Sequence, residues 1–368
     1  MNKNINIPVL SFFSGGGFLD MGFEQAEFNI VWSNEFDKDF VALSKYAREQ
    51  WKKSLDKTDK CFVNSSSISD LEDRGILYEA FGDYSIPFFG IIGGPPCQDF
   101  SLNGKMKGFN GDRGRLTIEF VNKINNLQPG FFLIENVPGL VRNKSNKEYY
   151  LKLIEQLELS YHIEMKILNA INFGVPQSRE RLFTVGFRRD LLKSSNVNFN
   201  WPKSKSIIQD HLKELNWPRL NNFGESVDKP KGIPRNLCVE SCLVDESDFE
   251  NIPNSSEFFQ LKTSFEKLSS IKEGETNRPS FKRLHRYRYS PTTCYGNNEV
   301  HLHPYKNRRI SVREALRIQG VPDTYILKST DSLTKKFKMV GNGVPVPLAK
   351  IMGEHIFYFV NNNMHVKH

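Results

Sequence analysis

Three short stretches carry residue types that do chemistry together. GGPPCQDFS places Cys97 directly behind Pro95 and Pro96, GFFLIEN delivers Glu135 and Asn136, and PQSRERLF carries Arg179 and Arg181. A thiol attacks only as the thiolate. The two prolines restrict the positions Cys97 can visit, and a nucleophile gains from such preorganisation. Two guanidinium groups can stabilise the anion and the negative charge that develops on a substrate. A glutamate whose pKa is raised by burial can act as an acid toward a ring nitrogen. Taken singly, each stretch has a plainer reading: an inert buried cysteine, a strand-end hydrogen-bonding corner, a surface charge pair. All three at one sheet edge point to a nucleophilic site.

A second constellation reads as a cofactor site. FFSGGGFLDMGF sits between a strand and a helix, where glycines let a ligand approach the backbone closely. Gly15 and Gly17 make a GxG, but Asp20 stands where a dinucleotide fingerprint has its third glycine, which disfavours nicotinamide. Glu35 follows the second strand, twenty positions after Gly15. A carboxylate there can accept hydrogen bonds from both hydroxyls of a ribose, and Phe36 beside it can stack on a purine. The pair of features predicts an adenosine-containing cofactor.

These residues need elements to hold them. VLSFF, FNIVW, FFGII, GFFLIEN and RLFTVGF read as strands, with FLDMGFEQA, LTIEFVNKI and YYLKLIEQLEL as helices between them. Strands alternating with helices predict βαβ units, hence an α/β fold with a doubly wound, mostly parallel sheet. The apolar runs are nearly continuous, as for strands buried on both faces. In open sheets of this kind, sites lie beyond the carboxyl ends of the strands, where the chemistry-bearing stretches fall.

From roughly Arg189 to Asn307 the periodicity breaks down and Pro, Asn, Ser and Lys dominate. KEGETNRPSFKRLHRYRYSP interleaves basic and aromatic residues, including Arg283, Arg286 and Arg288, a mixture suited to a nucleic-acid surface or to a solvated basic loop. SVREALRIQG then opens with Ser311 and Glu314 in capping-box spacing and stops at Gly320. VGNGVPVP precedes a final helix with Pro347 near its start, whose Leu348, Ile351, Met352, Ile356, Phe359 and Val360 share a face directed at a core.

Composition sets the bounds. The chain has 368 residues, 39% of them hydrophobic, and a formal net charge of +8 with a pI near 9.1. That is enough for a real core and one large or two modest domains, and the basic balance suits a phosphate-bearing partner as well as plain solubility. No signal peptide or membrane-length apolar run is evident. Five cysteines without framework spacing fit a reducing, cytoplasmic setting. Cys238 and Cys242 lack a second pair, and His301 and His303 in HLHP read as a loop or strand edge, so no metal is expected.

In this order the motifs resemble the DNA (cytosine-5)-methyltransferases, in particular the prokaryotic enzymes of restriction–modification systems. FFSGGGFLDMGF and NEFD resemble the two cofactor motifs, GGPPCQDFS the nucleophile motif, ENV the glutamate motif and QSRER the QxRxR motif. RRISVREALRIQGVP and GNGVPVP resemble the last two. The resemblance implies a Rossmann-like methyltransferase domain, residues 1–188 completed by 326–368, and a smaller, irregular target-recognition domain, 189–325. It implies S-adenosylmethionine as methyl donor, with S-adenosylhomocysteine as product and no metal. Phe13, Gly15, Gly16, Gly17, Glu35, Phe36, Pro96, Leu116, Asn342 and Val344 would hold the cofactor. Cys97 would add to C6 of a flipped-out cytosine, Glu135 would engage N3, and Arg179 and Arg181 would hold the base. Asp99 to Gly114 resembles the loop that closes over DNA. The implied partners are double-stranded DNA and a restriction endonuclease, with the enzyme acting as a monomer and without a membrane. Phe18 stands where the family usually has glycine, and Ser67 where it often has aspartate.

Three other readings compete. A tRNA cytosine-5 methyltransferase would keep the chemistry, but the long variable region favours groove reading in DNA. A catalytically inactive DNA-binding protein on the same fold is disfavoured by the intact Cys97, Glu135, Arg179 and Arg181. An NAD-dependent oxidoreductase is disfavoured by Asp20.

Overall fold

The computed structural model describes residues 6–83, 85–96, 112–203, 215–293, 295 and 299–366, and of residues 112 and 113 the backbone only. Cys97 therefore lies outside the described residues, as does most of the stretch from Asp99 to Gly114.

The apolar runs form a seven-stranded sheet. Its strands are β1 (Ile7–Phe12), β2 (Phe28–Asn34), β3 (Phe62–Asn64), β4 (Gly90–Gly93), β5 (Phe131–Asn136), β6 (Tyr161–Asn169) and β7 (Glu180–Arg188), in the order β3-β2-β1-β4-β5-β7-β6. The first five are parallel, and β7 runs antiparallel between β5 and β6. The order reverses between β1 and β4, so the crevice of a doubly wound sheet opens there.

Alternation along each strand feeds two cores. Phe131 and Leu133 of β5 face one side with Val9, Ile30, Phe183 and Val185, against helices α1 (Phe18–Glu24) and α10 (Val346–Asn363). Phe132 and Ile134 face the other with Leu10, Phe12 and Trp32, against α4 (Asp112–Leu127), the one-turn α5 (Gly139–Arg142) and α6 (Lys144–Glu158). Pro347 sits in the first turn of α10, and Leu348, Met352, Ile356, Phe359 and Val360 are buried as the periodicity predicts. Ile351 is only partly buried at the edge of that face.

Helix α2 (Lys38–Lys53) is additional to the elements expected from the sequence. Asp37 caps it by accepting from the Asp39 amide, and Phe40, Leu43, Ala47 and Trp51 form its buried stripe. Helix α3 (Asp73–Phe81) and the edge strands β3 and β6 are likewise additional. Edge strands bury less apolar surface, so their pattern is weak.

The region after β7 has little regular structure: short 3₁₀ turns, the five-residue α7 (Phe265–Ser269), and isolated bridges such as Arg283 with Leu302. Order resumes with α8 (Val312–Ile318), which has the full Ser311–Glu314 capping box, and α9 (Leu333–Asn342). Val239, Cys242 and Leu284 of the irregular region share one core with α8, α9 and the inner face of α1 and α2.

The basic–aromatic stretch differs from expectation. Arg283 is buried and donates to the carbonyls of Ile271, Leu268 and His303, and burial lowers its pKa to about 10. Arg286 clamps the buried Glu273 carboxylate at 2.7 and 2.9 Å. With few backbone ladders available, side-chain guanidinium groups satisfy the carbonyls that a sheet or helix would otherwise pair. Arg308, on the carbonyls of Val244 and Arg309 as well as the buried Glu314 carboxylate, and Arg313, on the carbonyls of Pro253 and Tyr325, do the same. His301 and His303 are buried beside the Leu302 bridge, and burial keeps both neutral.

Candidate active site

Register aligns the chemistry. Phe12 pairs with Asn34 and Gly93, Gly93 pairs with Ile134, and Asn136 pairs with Leu182. The next residues along, Phe13, Glu35, Gly94 to Pro96, Glu135 with Asn136, and Arg181, therefore share the carboxyl edge of the sheet. The run that begins at Pro95 leads into Cys97.

On the cofactor side, Glu35 holds the glycine turn. Its Oε2 accepts from the Gly15 amide at 2.8 Å and its Oε1 from the Asp37 amide at 2.8 Å. A carboxylate has about four acceptor sites, so each oxygen keeps a lone pair for a further donor. Burial raises the Glu35 pKa, and the two amides partly offset it. Gly15 and Gly17 have φ of 54° and 68°, the left-handed region, and a Cβ on Gly15 would enter open space. Phe13 also has positive φ, at 54°, which is strained for a bulky residue. Phe13 lies edge-on to Phe120 of α4, one turn from Leu116, which is partly buried in the same core. Phe36 is 69% exposed beside the turn.

The C-terminal segment closes against this turn. A Cβ on Gly343 would lie 2.2 Å from the Phe18 ring, and one on Gly16 would lie 3.2 Å from Met339. Asn342 is exposed at the end of α9, and Val344 is buried just beyond. Phe18 points into the core against Tyr325, whose hydroxyl donates to the Gly16 carbonyl at 2.7 Å. The Phe18 ring thus supports the turn from beneath. Ser67 caps a 3₁₀ turn by accepting from the Ser69 amide at 3.4 Å.

On the substrate side, Arg181 Nε lies 2.6 Å from Glu135 Oε1, and both side chains are 12% exposed. Burial raises the Glu135 pKa, outweighing the opposing pull of Arg181 and Arg179. Gly94 leaves room for the carboxyl: a Cβ there would sit 2.8 Å from Oε2. Asn136 reaches toward the Pro95 carbonyl and so ties the strand end to the proline turn.

Arg179 is placed differently from Arg181. It is buried, donating from Nη1 to the Thr293 carbonyl at 2.9 Å and from Nη2 to the Gly341 carbonyl at 2.8 Å. Its charge reaches Glu135, but its guanidinium clasps backbone from two other segments. Gln177, Thr293, Gln319 and Tyr325 support the site and were not singled out from sequence. Gln177 and Gln319 lie within the motifs PQSRER and RIQG, and that was the available signal. Among the described residues no cluster of His, Cys, Asp and Glu has the makings of a metal site.

Comparison with known proteins agrees with this geometry. A family model described as C-5 cytosine-specific DNA methylase matches residues 7–358. The chain is 38% identical to the Type II methyltransferase M.NmeDI of Neisseria meningitidis serogroup C, over 96% of this chain and 84% of that one. It is 35% identical to the Type II methyltransferase M.FnuDI of Fusobacterium nucleatum, over 95% and 94%. A crystal structure from Escherichia coli, described as a prophage-encoded DNA modification methyltransferase, superposes with a TM-score of 0.67 at 26% identity, covering 97% of this chain and all of that one.

Proposed function

The chain belongs to the C-5 cytosine-specific DNA methylase family and is a DNA (cytosine-5)-methyltransferase; on that premise we propose how its own residues carry the reaction. The observation that carries the reading is the sharing of one sheet edge by the Glu35-held glycine turn and the Glu135–Arg181 pair, with the proline turn between them.

S-adenosylmethionine, when bound, supplies an electrophilic methyl group. The open space at Gly15, the spare lone pairs of Glu35 and the exposed ring of Phe36 fit its adenosine. Gly16, Gly17, Phe13, Pro96, Leu116, Asn342 and Val344 complete the pocket. Glu35 binds the ribose hydroxyls, and its elevated pKa falls back as they donate to it.

The target cytosine leaves the stack, because the attacking thiol needs its ring face. The Cys97 thiolate forms a bond to C6, and the C5=C6 electron pair shifts toward C5 and N3. Glu135 meets the charge at N3 with a proton or a hydrogen bond. Arg181 fixes the carboxyl by Oε1 and leaves Oε2, on the Gly94 side, to face the base. After transfer, loss of the C5 proton lets the thiolate leave and restores the double bond. Arg179 adds positive charge near Glu135 and secures the strand that carries Arg181.

Residues 1–188 with 326–368 act as the catalytic unit, and 189–325 as the unit that reads the target. The protein acts on DNA in the cytoplasm as a monomer, paired with a restriction endonuclease that its methylation blocks. The names of its relatives, Type II methyltransferases, support that pairing.

The test is methyl transfer from labelled S-adenosylmethionine to a mixed-sequence duplex and, in parallel, to total tRNA, with the product base identified. We expect 5-methylcytosine in the duplex alone. Label confined to tRNA, or in neither, would overturn the reading.

A further inference from the structure

Beneath the site, four chain segments meet in one buried polar ring that the reaction itself does not use. Gln177 Nε2 donates to Gln319 Oε1 at 3.1 Å, and Gln319 Nε2 donates to Thr293 Oγ1 at 3.1 Å. Thr293 Oγ1 donates in turn to Gln177 Oε1 at 3.2 Å. The circuit closes with every member donating in the same sense, so the orientation of both amides is fixed by their partners.

The ring is anchored to backbone on every side. Gln319 also donates to the Val340 carbonyl at 2.7 Å, and its own carbonyl accepts from Val346 at 2.9 Å. The Thr293 amide donates to Gln177 Oε1, and Arg179 binds the carbonyls of Thr293 and Gly341. The strand that carries Arg181, the irregular region around Thr293, the end of α8 and the Gly341–Val344 turn are thus locked together. All three ring side chains are fully buried. A displacement of any one segment would leave several polar groups unpaired at once, each costly away from water. The unit has two options, to move together or to break.

We propose that Gln319 and Thr293 are positioning residues that couple occupancy of the DNA cleft to occupancy of the cofactor pocket. Thr293 belongs to the region assigned to target reading, and the Gly341–Val344 turn carries the cofactor-side residues Asn342 and Val344. A shift of the first on binding DNA is transmitted to the second through the ring. By linkage, each ligand then tightens the other by the same factor. The inference rests on the DNA methyltransferase reading and adds to it the residues through which the two ligands act on each other.

The experiment measures the dissociation constant of S-adenosylhomocysteine with and without a duplex carrying the sequence that the wild-type chain methylates. We expect the duplex to tighten S-adenosylhomocysteine on the order of tenfold in the wild type. Thr293→Val removes the hydroxyl relay at constant shape, and there the factor falls to about one, with affinity in the absence of DNA held within about twofold. Thr293→Ser retains the hydroxyl and restores the factor, which a packing role would not do. Gln319→Met gives the same loss if it folds; Thr293→Val and Thr293→Ser decide the matter if it does not. Full coupling in Thr293→Val overturns the proposal, as does a wild type that methylates DNA but shows no coupling. A wild type that methylates no DNA would instead overturn the reading beneath it.

Discussion

Glu135→Gln separates the two tasks assigned to that carboxyl. The substitution keeps shape but removes the charge that faces Arg181, whose Nε lies 2.6 Å away at 12% exposure. At a pH above the raised Glu135 pKa, where the pair is ionised, deleting one partner of a buried pair costs about 3–5 kcal/mol; the slight exposure here and the retained amide oxygen place the expected loss near the lower end, at about 3 kcal/mol. With an unfolding entropy of about 2.1 cal/mol/K per residue, the chain loses roughly 4 °C in Tm. The variant should therefore remain folded at assay temperature. Its turnover should fall by about 10²–10⁴, the usual worth of general acid catalysis. Burial holds the Glu135 pKa above the ordinary range, so wild-type turnover should decline as pH rises through that elevated value and the proton is lost. Glu135→Gln should lack that limb. Single-turnover methyl transfer across a pH series, beside thermal melts and S-adenosylhomocysteine titration, reads all three. A rate within tenfold of wild type, or a pH limb that survives the substitution, would refute the assignment of Glu135 as the group at N3.

Three further outcomes are expected. Cys97→Ser should lower methyl transfer by more than about 10³ while binding DNA and S-adenosylhomocysteine normally, because the weakly acidic hydroxyl does not replace a thiolate; near-normal turnover removes Cys97 as nucleophile. Glu35→Ala deletes two charge-assisted contacts to ribose at about 1.5–3 kcal/mol each, so the S-adenosylhomocysteine dissociation constant should rise by about 10²–10⁴ while that for DNA stays within about twofold; equal weakening of both ligands counts against the cofactor role. Asp20 is buried under the glycine turn with Ser11, near Arg48, Glu24 and Asp59, and burial raises its pKa to about 6. The folded state then holds a proton that the unfolded state has lost, so the stability Asp20 contributes falls as pH rises from about 4 to about 6. Asp20→Asn has no such slope, and its stability relative to wild type should improve by up to about 3 kcal/mol across that window; urea titrations giving the same difference at pH 4.5 and 7.5 would contradict this.

The sequence alone determined a mostly parallel sheet and the strands that carry the site, and it named the candidate residues of both constellations. Those features are local: continuous apolar runs, a glycine turn, a proline turn and a carboxylate at a fixed interval require no knowledge of the rest of the chain. Helix α2 is equally local, but its four buried apolar residues are diluted among polar and charged ones, which weakens the pattern. The irregular region was not legible in this way. Arg283 and Arg286 looked like a surface for phosphates, yet they face inward to carbonyls and to Glu273. Only the tertiary structure decided between those fates, because the acceptors come from other segments, 12 to 20 residues away, with no regular element to set their spacing. The same holds for Arg179 and Arg181, two residues apart in one motif. Along a regular strand residues two apart share a face, but Arg179 stands just before β7 begins at Glu180, and there its guanidinium clasps Thr293 and Gly341 while Arg181, inside the strand, meets Glu135. A linear pattern records which residues are present at the edge; which of them face the crevice depends on what packs behind them.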